Sequence, residues 1–389
     1  SQIIKEPKIV EIVRKILEHA IRLRASDVHI EPQENITRVR YRIDGILEEK
    51  LTLDKDYHAA LVSRIKILSG MKIDEKRIPQ DGRFNFSSEF GEVDLRISSL
   101  PTVNGEKIVM RLLKKSERVP TLSELGIRAK ALATLEEAIH IPHGIILATG
   151  PTGSGKTTTL YSLLTMINSP KVNIVTLEDP VEYQMTGVNQ VQINSQAGLS
   201  FASGLRSFLR QDPNIIMVGE IRDAETATIA VNTALTGHLL LSTLHTNDAA
   251  TTLPRLLDMG IEKYLVASTI SIAIGQRLVR KICEHCKEKI TLTKTMREAL
   301  QHTSINQILL DSTVVYRGKG CEQCMGSGYM GRIALYEILV ADDDIREAII
   351  KKASASELKK IAIRNGMTTI LEDGFEKIKN GITTIEEVL

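Results

Sequence analysis

The residues Gly150-Pro151-Thr152-Gly153-Ser154-Gly155-Lys156-Thr157, followed by Thr158, have the spacing of a phosphate-binding loop. The apolar run Ile145 to Thr149 leads in as a strand, and Thr158 to Leu164 leads out with helical periodicity. Glycines at 150, 153 and 155 let the backbone turn tightly and point several N–H groups at phosphate oxygens, and the following helix adds the positive end of its dipole. Lys156 is expected to reach the β- and γ-phosphates, and the Thr157 hydroxyl to hold Mg²⁺. These residues predict binding of a nucleoside triphosphate.

Two acids lie where such a site needs them. The apolar run Ile215 to Val218 ends in Gly219-Glu220, which makes Glu220 the candidate base for the attacking water. Gly219 occupies the position where an Asp usually holds the metal, so a second acid is expected, and Glu178 at the end of Thr176-Leu177-Glu178-Asp179 is the candidate. His238 and His245 bound the strand pattern Leu239 to Leu244. They are too far apart to share a metal; His245, at the carboxyl end, is the candidate γ-phosphate sensor, and His238 a second candidate. Cys283-x-x-Cys286 and Cys321-x-x-Cys324 carry all 4 cysteines of the chain and predict a closed, structural Cys₄ zinc site, with His285 outside the ligand set. Arg83, Arg96 and Arg111 are candidates for meeting charge on the transferred phosphate.

The elements that must place these residues fall into two rhythms. Residues 1–113 read as one α+β domain: an amphipathic helix at 8–25, strands at 27–32, 37–43 and 46–51 with an Asp44-Gly45 turn, a helix at 56–69, a turn-rich stretch Pro79 to Arg83, and strands at 93–99 and 107–113. A polar linker is expected at 114–124. From 125 to 280 strands alternate with helices, which implies a mostly parallel sheet with ligands at the carboxyl ends of its strands; helices are expected at 248–259 and 263–277. A zinc-binding subdomain at 281–335 and a helical segment at 336–389 close the chain. Lys+Arg 50 against Asp+Glu 48, aromatic content of 4% and no Trp argue against a nucleic-acid partner. No apolar stretch approaches the roughly 20 residues of a membrane span, and a cytoplasmic protein is expected.

These motifs, in this order, resemble the secretion-superfamily ATPases of type IV pilus assembly and type II secretion. The resemblance rests on Gly150–Thr157, the acidic box Thr176–Tyr183, Leu209 to Asn214 running into Gly219 to Asp223, the histidine box Thr236–Asn247, the cysteine tetrad, and Gly331-Arg332 to Tyr336-Glu337. Asn214 stands where the family commonly has Asp. It implies a RecA-like P-loop ATPase core behind a PAS-like amino-terminal domain, using ATP, Mg²⁺ and Zn²⁺. It also implies a ring-shaped homo-hexamer with sites between subunits, Arg96 and Arg111 reaching the phosphates, and Glu220 as catalytic glutamate. The implied partners are an inner-membrane platform protein and a cytoplasmic ring component, with the motor at the inner face of the plasma membrane. The pilus-assembly branch fits slightly better, with type II secretion the alternative. The resemblance also implies a further amino-terminal domain in full-length relatives; with Ser1-Gln2 directly before the first helix, a truncated chain or a short natural variant is expected. A nucleic-acid motor on the same core and a regulatory protein that holds nucleotide without cleaving it are the readings from other classes.

Overall fold

In the computed structural model, residues 6–114, 118–292, 294, 298 and 314–389 are described. The chain forms two compact units, Ser1–Glu117 and Arg118–Leu389.

The first unit contains helices α1 (Glu6–Arg22) and α2 (His58–Leu68) and strands β1 (Asp27–Pro32), β2 (Ile36–Ile43), β3 (Ile46–Asp54), β4 (Gln80–Ser88), β5 (Gly91–Thr102) and β6 (Gly105–Lys114). The strands make one antiparallel sheet in the order β3-β2-β1-β6-β5-β4. Alternation sets its two faces: Val28, Ile30, Val39, Tyr41, Val93, Leu95, Ile97, Ile108 and Met110 turn inward onto Leu17, Leu61 and Ile65 of the helices, and the intervening charged residues face out. Asp44 and Gly45 both have positive φ, the conformation a tight two-residue hairpin needs. Strand β4 occupies the stretch expected to be a turn. Pro79 and Gly82 signal a turn locally, but Phe84 and Phe86 pack on the core, and pairing along β5 outweighs the signal.

The second unit begins with α3 (Ala129–Ile139) and β7 (Gly144–Thr149), followed by α4 (Lys156–Ile167), β8 (Ile174–Glu178), β9 (Val188–Gln192) and α5 (Phe201–Phe208). Next come β10 (Ile215–Val218), α6 (Ala224–Leu235), β11 (Leu239–Leu244), α7 (Ala249–Asp258), α8 (Lys263–Thr269) and β12 (Ile270–Ile282). Its sheet runs β15-β12-β7-β11-β10-β8-β9, parallel except for β15 (Tyr329–Val340). Strands β7, β8, β10 and β11 are buried at every position, which explains why they are mainly apolar and do not alternate. One face packs on α3 and α4, and the other on α5 to α8.

The helix expected over 263–277 ends at Thr269, where the chain turns into strand β12. Ile270, Ile272 and Ile274 pair with β7 on one side while the strand pairs with β15 on the other, and this two-sided ladder decides the conformation. After the hairpin β13 (Lys287–Thr291) and β14 (Val314–Gly318), strand β15 rejoins the sheet. Helices α9 (Asp343–Ile350) and α10 (Ala355–Arg364) share the core of α7 and α8, so residues 329–364 are continuous with the seven-stranded sheet rather than a segment apart. Helices α11 (Ile370–Lys379) and α12 (Ile385–Val388) follow. Among the described residues, no helix is long and apolar enough to cross a membrane.

Candidate active site

Strand β7 delivers the loop 150–155 to the amino end of α4, at the carboxyl edge of the parallel sheet. Gly150, Gly153 and Gly155 have φ of 144°, 78° and 87°. A Cβ at Gly150 would lie 2.3 Å from the Gln276 carbonyl oxygen, so only glycine lets the loop pass that close to β12. At Gly153 the corresponding space is open. Lys156 Nζ donates to the carbonyls of Gly150 at 2.9 Å and Pro151 at 3.1 Å, lying across the mouth of the loop. Burial pushes its pKa down, and the charge of Glu220 partly opposes that shift. Ser154 Oγ is buried with no hydrogen-bond partner among the described residues. An unpaired hydroxyl, an ammonium and a helix amino terminus form a donor-rich cradle, which fits a polyphosphate. Thr157 is half-buried in the first turn of α4, where its hydroxyl would hold Mg²⁺. Pro151 and Thr152 lie exposed on the loop, and Thr158 is half-buried.

Glu220 follows β10 and is held from both sides. Arg222 donates to its Oε1, and His245 Nε2 lies 3.1 Å from its Oε2. Burial pulls the Glu220 pKa upward, but the hydrogen bonds from Arg222 and His245 outweigh it, and the carboxyl sits below its ordinary value. It is therefore an ionised, oriented carboxylate near the phosphate loop. The structure assigns the other two candidates differently. Glu178 is 2% exposed, and its oxygens accept from Tyr161, Thr176 and Gln190, so here the carboxylate braces α4 and β9 against β8. His238 sits at the opposite end of β11 from His245, with Nδ1 3.0 Å from the Thr233 carbonyl, where it caps the carboxyl end of α6 instead of sensing phosphate.

In the first unit, strand register places Arg83 opposite Arg96 and Arg96 opposite Arg111, so the three side chains share the outward face of the sheet. Arg111 Nε lies 3.0 Å from Asp27 Oδ1, and Asp27 is buried in this row.

Cys283, Cys286, Cys321 and Cys324 converge beyond β12, with all four sulfurs within 4.8 Å of one another. The Sγ separations are 3.9 Å for Cys283–Cys321, 3.8 Å for Cys286–Cys324 and 3.7 Å for Cys321–Cys324. A tetrahedron with Zn–S near 2.3 Å requires sulfurs about 3.8 Å apart. A disulfide requires about 2 Å. The amides of Cys321 and Gly328 donate to Cys324 Sγ, as expected beside a thiolate. The four thiols thus fit zinc, and His285 is exposed and outside the group.

Sequence reasoning missed Gln276. It is 1% exposed on β12, donates from Nε2 to the Ser154 carbonyl at 2.6 Å, and accepts from Thr159 Oγ1 at 2.8 Å. It therefore holds the phosphate loop from beneath. A lone amide after the alternating isoleucines Ile270, Ile272 and Ile274 was the available signal, and reading 263–277 as helix hid the face it occupies.

A parallel sheet with a phosphate loop leaving its inner strand β7, and a glutamate just past the end of β10, defines a RecA-like phosphate-loop fold. The family described as "Type II/IV secretion system protein" matches residues 4–389, and the chain belongs to it. The chain is 50% identical over 379 residues to the type IV pilus assembly ATPase PilB of Thermus thermophilus, covering 97% of this chain but 42% of that one. It is 48% identical to the PilB of Myxococcus xanthus (98% of this chain, 67% of the relative). It is also 46% identical to type II secretion system protein E of Xanthomonas campestris (99% and 67%). The chain thus spans less than half the length of the first of these relatives and about two thirds of the other two. Among solved structures, the pilus retraction motor PilT with bound ADP aligns with TM-score 0.62 at 26% identity, covering 97% of this chain and 96% of that one. The Legionella pneumophila ATPase DotB shares the fold, with TM-score 0.69 at 24% identity over 97% and 94%.

Proposed function

We propose that this chain is an ATP hydrolase that powers pilin polymerisation in type IV pilus assembly, as a ring of six copies working on an inner-membrane platform protein and a cytoplasmic ring component. The observation that carries the hydrolytic reading is Glu220, ionised and held between Arg222 and His245 near the Lys156 loop. The loop amides, Ser154 and Lys156 bind and orient the triphosphate, and Glu220 takes a proton from the water that attacks the γ-phosphorus as the bond to the bridging oxygen breaks. The Thr157 hydroxyl would hold Mg²⁺, which would supply neutralising charge to the phosphates. Arg96 and Arg111 add guanidinium charge from an amino-terminal unit; their place in one outward-facing row supports that role.

Glu220→Gln is expected to lower turnover about 10²–10⁴-fold while ATP still binds. Near-normal phosphate release by that variant would remove Glu220 as base. Identity of 46% to a type II secretion protein E supports a second reading, export by a pseudopilus motor. Deleting the chromosomal copy separates the two: loss of surface pili favours the first, and secreted enzymes stranded inside the cell envelope favour the second.

A further inference from the structure

Glu337 on β15 is 1% exposed, and the hydrolytic reading gives it no task. It pairs with Gly275 of β12, where an added Cβ would come within 2.7 Å of Glu337 Cγ and 3.0 Å of Ala249 N. The glycine leaves the carboxylate room to cross the strand. Its Oε1 then accepts from Ala249 N at 2.8 Å, and its Oε2 from Ile370 N at 3.3 Å. These are the first residues of α7 and α11, so one buried carboxylate closes two helix amino termini and is favoured by both dipoles.

Lys359 of α10 completes the arrangement, with Nζ 3.5 Å from Glu337 Oε2 and 3.3 Å from Asp248 Oδ2. Burial alone would lower its pKa, but Glu337 and Asp248 outweigh it, so the ammonium stays charged. Asp248 caps α7 through Thr251 N at 2.9 Å and ends the short loop that starts at His245. The other side of that loop is tied to the base of the phosphate loop. Thr246 N donates to Thr149 Oγ1 at 3.1 Å, and Thr246 Oγ1 lies 3.0 Å from Thr252 Oγ1.

We propose that Glu337 and Lys359 are positioning residues for hydrolysis: they clamp the histidine loop so that His245 keeps the Glu220 carboxylate oriented, and they make the carboxyl-terminal helices part of the ATP site. The proposal rests on the Glu220–His245 reading above. The clamp acts on the loop and touches no nucleotide, so it governs turnover rather than binding.

The test uses the full chain with Lys359→Met and, separately, Glu337→Gln. Steady-state phosphate release, equilibrium ATP binding and amide hydrogen exchange are measured for each. The expected result is a kcat at least about tenfold lower, with KM and Kd for ATP changed by less than about twofold. Exchange is expected to rise at 244–250 and stay level at 145–157. Lys359→Arg restores most of the rate, and combining Lys359→Met with His245→Ala adds no further loss, as for two changes acting through one group. An unchanged kcat, a fully additive double variant, or exchange raised throughout the second unit would overturn the clamp. If the wild type releases no phosphate, the hydrolytic reading fails, and exchange at 244–250 still decides the clamp: a local rise supports it, no change refutes it.

Discussion

Replacing Gln276 by Met tests how far the phosphate loop depends on support from β12. The substitution roughly keeps side-chain volume, so little cavity energy enters. It removes two hydrogen bonds of unequal consequence. Thr159 Oγ1 keeps a partner in Tyr336 OH at 3.0 Å, so its loss is small. The Ser154 carbonyl loses the amide that holds it at 2.6 Å, and a buried acceptor left unpaired costs about 1–3 kcal/mol. That cost falls on the bound-competent loop conformation, which can relax by rotating the Ser154 peptide. At about 1.4 kcal/mol per decade, ATP affinity should drop between about fivefold and somewhat over a hundredfold. Equilibrium titration with a fluorescent ATP analogue reads this directly, alongside a urea melt. A Kd within about twofold of wild type, whether or not the melt shifts, would refute the reasoning, because the bond would then serve the fold and not the loop.

Two further outcomes are expected. The protein should carry one zinc per chain, and Cys321→Ser or chelation should raise exchange at 283–292 and 314–328 while β7 and β11 stay protected. The cluster of Leu292, Val315, Phe375, Ile378 and Ile385 is small beside the roughly 10 kcal/mol such a metal contributes, and metal-free protein with unchanged exchange there would contradict this. In the first unit, burial favours the neutral form of Glu31, but Arg40 at 2.8 Å and Lys107 at 2.9 Å outweigh it and lower its pKa to about 2. A carboxyl lowered on folding stabilises fully above its unfolded value and loses that contribution as pH falls toward the folded one. Wild type should therefore lose more thermal stability than Glu31→Gln between about pH 4.5 and 3, and parallel melting curves would exclude the effect.

The phosphate loop was legible in the sequence because its chemistry needs glycine at fixed positions, which no other demand reproduces. The cysteine spacing was legible for the same reason. Glu220 and His245 stood out because each follows the carboxyl end of a mainly apolar strand. Glu178 ends one too, yet its oxygens turn onto Tyr161 and Gln190, and only the packing of α4 and β9 reveals that. His238 likewise reads as strand-end chemistry until the carbonyl of Thr233 is seen beside it. Strand β12 was hidden because its alternation of isoleucines is also compatible with a buried helix, and its ladder partner lies beyond the cysteine pairs. Long-range pairing of that kind leaves no local signal. Gln276 was hidden with it, and Glu337, though part of a recognised motif, showed no contact role until that strand pair was placed.

The β12–β15 pairing also has a consequence for how this architecture can vary. Ile282 faces Tyr329 in register, and Cys283 N donates to the Gly328 carbonyl at 2.9 Å, so the thiolate module enters and leaves the sheet at a single point. A hairpin turn of about two to five residues could bridge the same gap without rethreading any strand. The module is in that sense a cassette: evolution or an engineer can exchange it at that point, and among the described residues the repair includes Gly381 and the face of Phe375, Ile378 and Ile385 that Leu292 and Val315 now cover.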